Sequence, residues 1–100
     1  MTEKETQAAV KKLYRDAGAI VYDTSQPRRA QITPGVPDLI VFLTWRGKGY
    51  MWFQEVKTPT GRQSSPQKAF QDSCDRAGET YLLGGVPEGI DHLRTLGVLG

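Results

Sequence analysis

Three side chains in the middle of the sequence have the chemistry of a cation site: Asp38, Glu55 and Lys57. Two carboxylates that are held close together repel each other, and a divalent cation relieves that repulsion. Taken alone, the pattern Glu-X-Lys is weak, because a plain Glu–Lys pair at the end of a strand explains it as well. The interpretation therefore depends on which elements position the three residues.

Two predicted strands bring this trio together. Aromatic and β-branched residues predict strands over 38–45 and 50–57. Between them, the glycines of residues 46–49 can supply the positive φ of a tight hairpin turn. The glutamate and the lysine are two positions apart, so they point to the same side, and the aspartate begins the neighbouring strand at the end away from the turn. Both faces of the second strand are largely apolar, so we expect the trio in a polar cleft at the strand end.

A helix predicted over residues 2–17 offers a further carboxylate. Thr2 caps its start, with Glu5 in the capping-box position. The apolar stripe at helical spacing comprises Val10, Leu13, Tyr14 and Ala17. Extended backwards, the stripe reaches Glu3, which therefore lies on the buried side, whereas Glu5 is turned away from it. Both glutamates also favour the positive end of the helix dipole, so a purely structural role stays open.

The other elements follow from turn and cap residues. Ser65 followed by Pro66 predicts a helix start. A long loop is expected between the first two strands, and such loops in small domains are usually functional or mobile. The predicted segments are a strand over 19–22, a loop over 23–35, a helix over 66–77, a strand over 80–83 and a helix over 87–96.

Some polar residues in these elements need separate interpretation. Gln67 lies on the apolar stripe of the helix 66–77, where it could face bound phosphate or a metal-bound water, since a helix N-terminus favours anions. Cys74 on the same stripe is most simply a small buried hydrophobe. His92 falls between the inward positions of the last helix and is expected to be exposed. Arg28 and Arg29 in the long loop are either solvated surface or phosphate contacts, and we favour contacts.

Composition restricts the class of protein. One hundred residues predict a single domain over 1–100, and a chain of this size would gain from a partner subunit. The net charge of +2 does not by itself indicate nucleic acid. The single cysteine allows no internal disulfide and favours a reducing compartment, the cytoplasm. No apolar run approaches the roughly 20 residues of a membrane span.

The order of these features resembles the PD-(D/E)XK nuclease superfamily and, more closely, its VRR-NUC family. The resemblance rests on Gly-Val-Pro-Asp at 35–38, Glu-Val-Lys at 55–57 and Ser-Pro-Gln-Lys-Ala-Phe at 65–70, and it covers about residues 3–85. Three motifs in order are far more specific than any one. The resemblance implies an α/β (α+β) fold with a mixed central sheet flanked by helices, in the order α-β-β-β-α-β-α.

The resemblance also implies an activity, a phosphodiesterase that depends on Mg²⁺ or Mn²⁺, with one or two ions. Asp38, Glu55 and the backbone carbonyl of Val56 would be ligands of the ion, and Glu3 would reach it directly or through water. Lys57 would act on the attacking water and the phosphate. Gln67 would assist in positioning water or phosphate. The expected DNA contacts are Arg28, Arg29, Arg62 and Lys68. Small members, often from phages or bacteria, are similar to Holliday junction resolvases and tend to be homodimers.

Several functions remain open at this point. The first is an endonuclease for branched DNA in a bacterial or phage-infected cell, with no membrane or organic cofactor involved. The second is a nuclease for flaps or single-strand ends with the same site. The third is a catalytically silent DNA-binding module, which the two carboxylates disfavour because without metal they would repel phosphate. A generic structural domain would leave the polar cluster unexplained.

Overall fold

Helices and strands follow one another in the expected order, α-β-β-β-α-β-α. The computed structural model describes residues 1–25 and 33–100. Within these ranges the strand order is β1-β2-β3-β4; the first three strands are antiparallel neighbours, and β4 runs parallel to β3. The expected mixed sheet is thereby confirmed. The elements are α1 (Glu3–Asp16), β1 (Ile20–Asp23), β2 (Leu39–Trp45), β3 (Lys48–Val56), α2 (Ser65–Ala77), β4 (Tyr81–Gly84) and α3 (Val86–Leu96).

The register of the β2–β3 hairpin determines which candidate site residues lie opposite each other. Its turn is tighter than predicted: only Arg46 (φ 51°) and Gly47 (φ 78°) lie between paired residues, and Lys48 already pairs with Trp45. Two successive positive φ values are typical of the hairpin turn whose twist matches that of the strands. At the other end Leu39 pairs with Gln54. One step further along both strands, Asp38 and Glu55 come opposite each other.

The helices begin and end at residues with clear capping chemistry. In α1, Thr2 and Glu5 form the predicted capping box. In α2 the cap is Ser64 rather than Ser65, and Gln67 completes a second capping box. The predicted cap was therefore wrong by one residue. None of the helices in the described parts of the chain is long and apolar enough to cross a membrane.

The core lies on the face of the sheet that α1 and α3 cover. Trp52 is fully buried between Tyr14 (ring centroids 5.3 Å apart) and His92 (4.6 Å). His92 is thus half-buried rather than exposed as predicted, and burial lowers its pKa. Further fully buried apolar residues include Val10, Leu39, Val41, Val56 and Leu93.

A buried amide stands inside this core. Gln54 is fully buried; its side chain accepts a hydrogen bond from the Tyr14 hydroxyl and donates one to the Gly84 carbonyl (3.3 Å). Gly89 of α3 makes room for this arrangement, since a Cβ there would lie 2.8 Å from the Tyr14 hydroxyl. The two hydrogen bonds satisfy the amide and join α1, β3 and β4 behind the strand end.

The opposite face is covered unevenly. Phe70 of α2 packs edge-on against Phe53 (5.2 Å between centroids) and approaches Tyr81. Cys74 is buried as predicted. On β1 and β2, by contrast, Ile20, Tyr22 and Phe42 are 61%, 58% and 42% exposed, and we call these three the β1–β2 apolar strip.

Candidate metal centre

Three carboxylates meet where β2 begins and β3 ends. Glu3, Asp38 and Glu55 each place one carboxylate oxygen within 4.8 Å of the other two, and we call them the carboxylate cluster. The predicted choice of Glu3 agrees with this geometry. Glu5 instead accepts a hydrogen bond from the Thr2 backbone (2.9 Å), an interaction that lowers its pKa.

Asp38 is held in place by the backbone around it. Its Oδ2 accepts the Val56 N–H (3.0 Å), which extends the β2–β3 pairing by one side-chain bond. Its own carbonyl accepts the Thr24 N–H (2.8 Å), and the Thr24 hydroxyl donates to the Pro37 carbonyl. Sequence reasoning missed this role of Thr24; the signal was a hydroxyl residue two positions after the first predicted strand.

Glu55 is the member of the cluster that most needs a counter-charge. The residue is 1% exposed, and its Oε1 has no hydrogen-bond partner among the described residues. Burial, followed by the neighbouring Asp38 carboxyl, raises the pKa of Glu55 to about 8. A buried carboxylate oxygen without a donor is costly, and a divalent cation with oxygen ligands would remove that cost. The donor set therefore fits a divalent cation that prefers oxygen ligands.

Lys57 supplies the one positive charge within reach of the cluster among the described residues. Its Nζ lies 3.8 Å from Glu3 Oε1 and 3.9 Å from Glu55 Oε2, and its side chain is 15% exposed. These distances are too long for hydrogen bonds, so the ammonium can turn towards a ligand. The Lys57 backbone is fixed by donation from its N–H to the Gly84 carbonyl (3.1 Å).

The remaining predicted site residues have less direct support. Gln67 uses its Oε1 to accept the Ser64 N–H (2.7 Å), so capping accounts for its polarity, and a role towards water or phosphate stays a prediction. The same holds for the Val56 carbonyl as a metal ligand. Arg62 and Lys68 are exposed, as DNA contacts would be, whereas Arg28 and Arg29 lie outside the described residues.

Gly35 connects the loop before Asp38 to the start of α2. Its φ is +92°, and a Cβ at this position would lie 2.3 Å from the Pro66 carbonyl oxygen. A side chain would therefore strain the backbone and also push α2 away. This double constraint explains why the Gly-Val-Pro-Asp stretch begins with glycine.

Gly35→Ala is expected to lower the free energy of unfolding by more than the about 1–3 kcal/mol that an unfavourable φ costs. Gly18→Ala is the matched control, because Gly18 has φ +91° but open space where a Cβ would stand. Urea titrations of both variants separate the two effects. If both variants lose the same free energy of unfolding, the contact with Pro66 does not contribute to stability.

No protein-family profile matches the chain, and no curated protein matches it. A solved structure described as a VRR_NUC domain does: the two share the fold with a TM-score of 0.69 and 26% identity, over 93% of this chain and 94% of the other. The likeness extends over nearly all of both chains, so the resemblance to the VRR-NUC family of nuclease domains is confirmed at the level of the fold.

Proposed function

We propose that the protein is a divalent-metal-dependent DNA endonuclease that prefers branched substrates. One observation carries this proposal: the almost fully buried Glu55, with one unpartnered oxygen among the described residues, faces Asp38 and Glu3 beside a lysine. DNA binding alone gives no reason to bury a carboxylate next to the place where phosphate would lie. A silent binding module is therefore disfavoured.

The residues that would hold the ion are Asp38, Glu55, the Val56 carbonyl and Glu3. A bound Mg²⁺ or Mn²⁺ would stabilise the additional negative charge that develops during phosphodiester hydrolysis and would make water more acidic. Asp38 is suited to fixed coordination, because the Val56 N–H already orients its carboxylate. Glu3 is half-exposed and would adapt its position to one ion or two.

Lys57 would act on the substrate itself. Its ammonium, kept at the edge of the cluster by Glu3 and Glu55, would donate to a non-bridging phosphate oxygen and orient the attacking water. Exposed Arg62 and Lys68 would bind flanking phosphates. These contacts position DNA without selecting its sequence.

The test is a panel of end-labelled DNAs: a four-way junction, a flap, a duplex and a single strand, each with EDTA, Mg²⁺ or Mn²⁺. We expect metal-dependent cuts near the branch of the junction and weaker cutting elsewhere. Asp38→Asn should remove cleavage of every substrate. Failure of the parent protein to cut any of them would refute the nuclease proposal, and cutting of the flap alone would favour the second function.

A homodimer is part of the proposal, since a junction has two strands to cut symmetrically. The β1–β2 apolar strip supports it: three large apolar side chains lie on the edge strand and its neighbour, with Tyr22 and Phe42 in edge-on contact (5.8 Å). A second copy placed there would cover surface that a monomer leaves in water.

Phe42→Asp is expected to convert the dimer to a monomer in sedimentation equilibrium, because an aspartate cannot be buried unpaired in such an interface. Ala8→Asp, on the exposed side of α1, is the control and should remain dimeric. A parent protein that is monomeric at high concentration would contradict both the dimer and the paired cuts.

A further inference from the structure

A second concave surface opens directly beside the carboxylate cluster. It is a cleft of about 860 Å³ between the start of α1, the segment after β3 and the turn from β4 into α3. Its walls include Thr6, Lys57, Pro59, Leu83, Val86 and Pro87. The predicted roles of the site residues leave this space without a use.

The cleft is continuous with the metal centre through two residues. Lys57 lines it and also places its Nζ within 4 Å of Glu3 and Glu55. Leu83 pairs with Glu55 in the parallel β3–β4 ladder, so the two side chains lie on the same face of the sheet. A group attached to a phosphate at the cluster would therefore lie next to the cleft.

The lining indicates which part of a nucleic acid fits. Its charged side chains are Lys57, at the cluster end, and Glu88, whose Oε1 accepts the Gly85 N–H (2.7 Å). A run of phosphates along the cleft would find no further basic side chain among the described residues that line it and would meet the Glu88 carboxylate. A nucleobase has apolar faces, which suit prolines, leucine and valine.

Glycines keep the space open. Gly61, Gly84 and Gly85 all line the cleft. A Cβ on Gly84 would lie 2.2 Å from Glu88 Oε1, and one on Gly85 would lie 2.9 Å from Thr6 Cγ2. Side chains at the β4–α3 turn would disturb both the Glu88 cap and the wall formed by α1.

From these contacts we infer that the cleft binds an unpaired nucleobase next to the scissile phosphate. This inference rests on the proposed nuclease function and narrows its substrate class. A base inside a duplex would have to leave its stack to enter a concave site, and that step costs free energy. Nucleotides that are unpaired at a branch point avoid this cost, so the branch becomes the preferred site of cleavage.

The experiment is an abasic scan. The cut site in the best substrate of the panel is mapped, and single abasic residues then replace each of the two nucleotides on either side of the scissile phosphate. We expect kcat/KM with Mn²⁺ to fall at least tenfold for one position and to change less than twofold for the others. A flat scan, or a complementary duplex cut as fast as the branched substrate, would overturn the inference while leaving the nuclease function standing.

Leu83→Ala supplies the matching test on the protein side, since Leu83 is 38% exposed and its truncation leaves the core intact. Compared with the parent protein, this variant should have a severalfold lower kcat/KM on the substrate with all its bases. On the abasic substrate that the scan finds to be cut poorly, the variant and the parent should have the same kcat/KM. Equal losses on both substrates would refute base binding in the cleft. If no DNA is cut by the parent protein, the nuclease function fails and this inference fails with it.

Discussion

Replacing Lys57 by alanine is expected to reduce metal-dependent DNA cleavage by roughly a thousandfold or more, while DNA affinity changes by less than about threefold. The ammonium lies 3.8 and 3.9 Å from two carboxylates of the cluster, so its loss removes the charge that would contact phosphate and water. Binding should survive, because most contacts to DNA are made by other cations to phosphates. Single-turnover cleavage and fluorescence anisotropy measure the two quantities.

Lys48→Ala is the control for this experiment, because Lys48 is exposed at the far end of the hairpin. It should cleave like the parent. Lys57→Ala activity within tenfold of the parent, with unchanged metal affinity, would show that the lysine is only an ion-pair partner of the cluster.

Without metal, the protein is expected to lose stability as pH rises from about 5 to about 8. The pKa of Glu55 is raised from an ordinary value of 4.5 to about 8, first by burial and then by Asp38. The folded state therefore keeps a proton in this range that the unfolded chain releases, so the stabilisation is complete below pH 4.5 and disappears as pH rises through about 8. For a single titrating group, the free energy of unfolding cannot fall by more than about 1.4 kcal/mol per pH unit.

Divalent metal should reverse this trend. A cation replaces the proton on Glu55, so Mn²⁺ is expected to raise the urea midpoint more at about pH 8 than at about pH 5.5. Glu55→Gln should flatten the pH dependence in EDTA and remove most of the gain from Mn²⁺. Glu79→Gln, which neutralises an exposed carboxylate, serves as the control. If the stability of the parent and of Glu55→Gln depends on pH in the same way in EDTA, Glu55 is already ionised without metal. The argument that Glu55 needs a cation would then lose its support.

The parts of the fold that follow from local chemistry were predictable. The hairpin, the two helices that flank it in sequence and the order of elements all come from alternation, capping and glycine placement, and the structure confirms them. Glu3 could be chosen over Glu5 because the helical stripe fixes which side faces the sheet. The three motifs then indicated which polar residues would meet.

The errors have local physical reasons. Ser64 and Ser65 are both competent caps, and only the capping box with Gln67 decides between them. Arg46 adopts a positive φ that a glycine would adopt more readily, so the turn is tighter than expected and the second strand begins two residues earlier. His92 is half-buried because the Trp52 ring reaches it across the core, a contact that helix periodicity alone does not reveal.

Tertiary packing determined what the sequence pattern left open. The burial of Gln54 depends on Tyr14, forty positions away, and on the backbone of Gly84. The cleft beside Lys57 is built from three separate segments and has no motif of its own. Neither feature can be read from spacing, because each exists only after α1, β3 and the β4–α3 turn are assembled.

Glu3 differs from its two partners in the cluster in where it is anchored. It stands in the first turn of α1 and its side chain is 52% exposed, whereas Asp38 and Glu55 belong to the hairpin. The first turn of a helix opens and closes readily on its own. An ion held by Glu3 would therefore tie that turn to the sheet, and occupancy of the site would become visible as slower amide hydrogen exchange at the start of the helix, separately from any change in the hairpin itself.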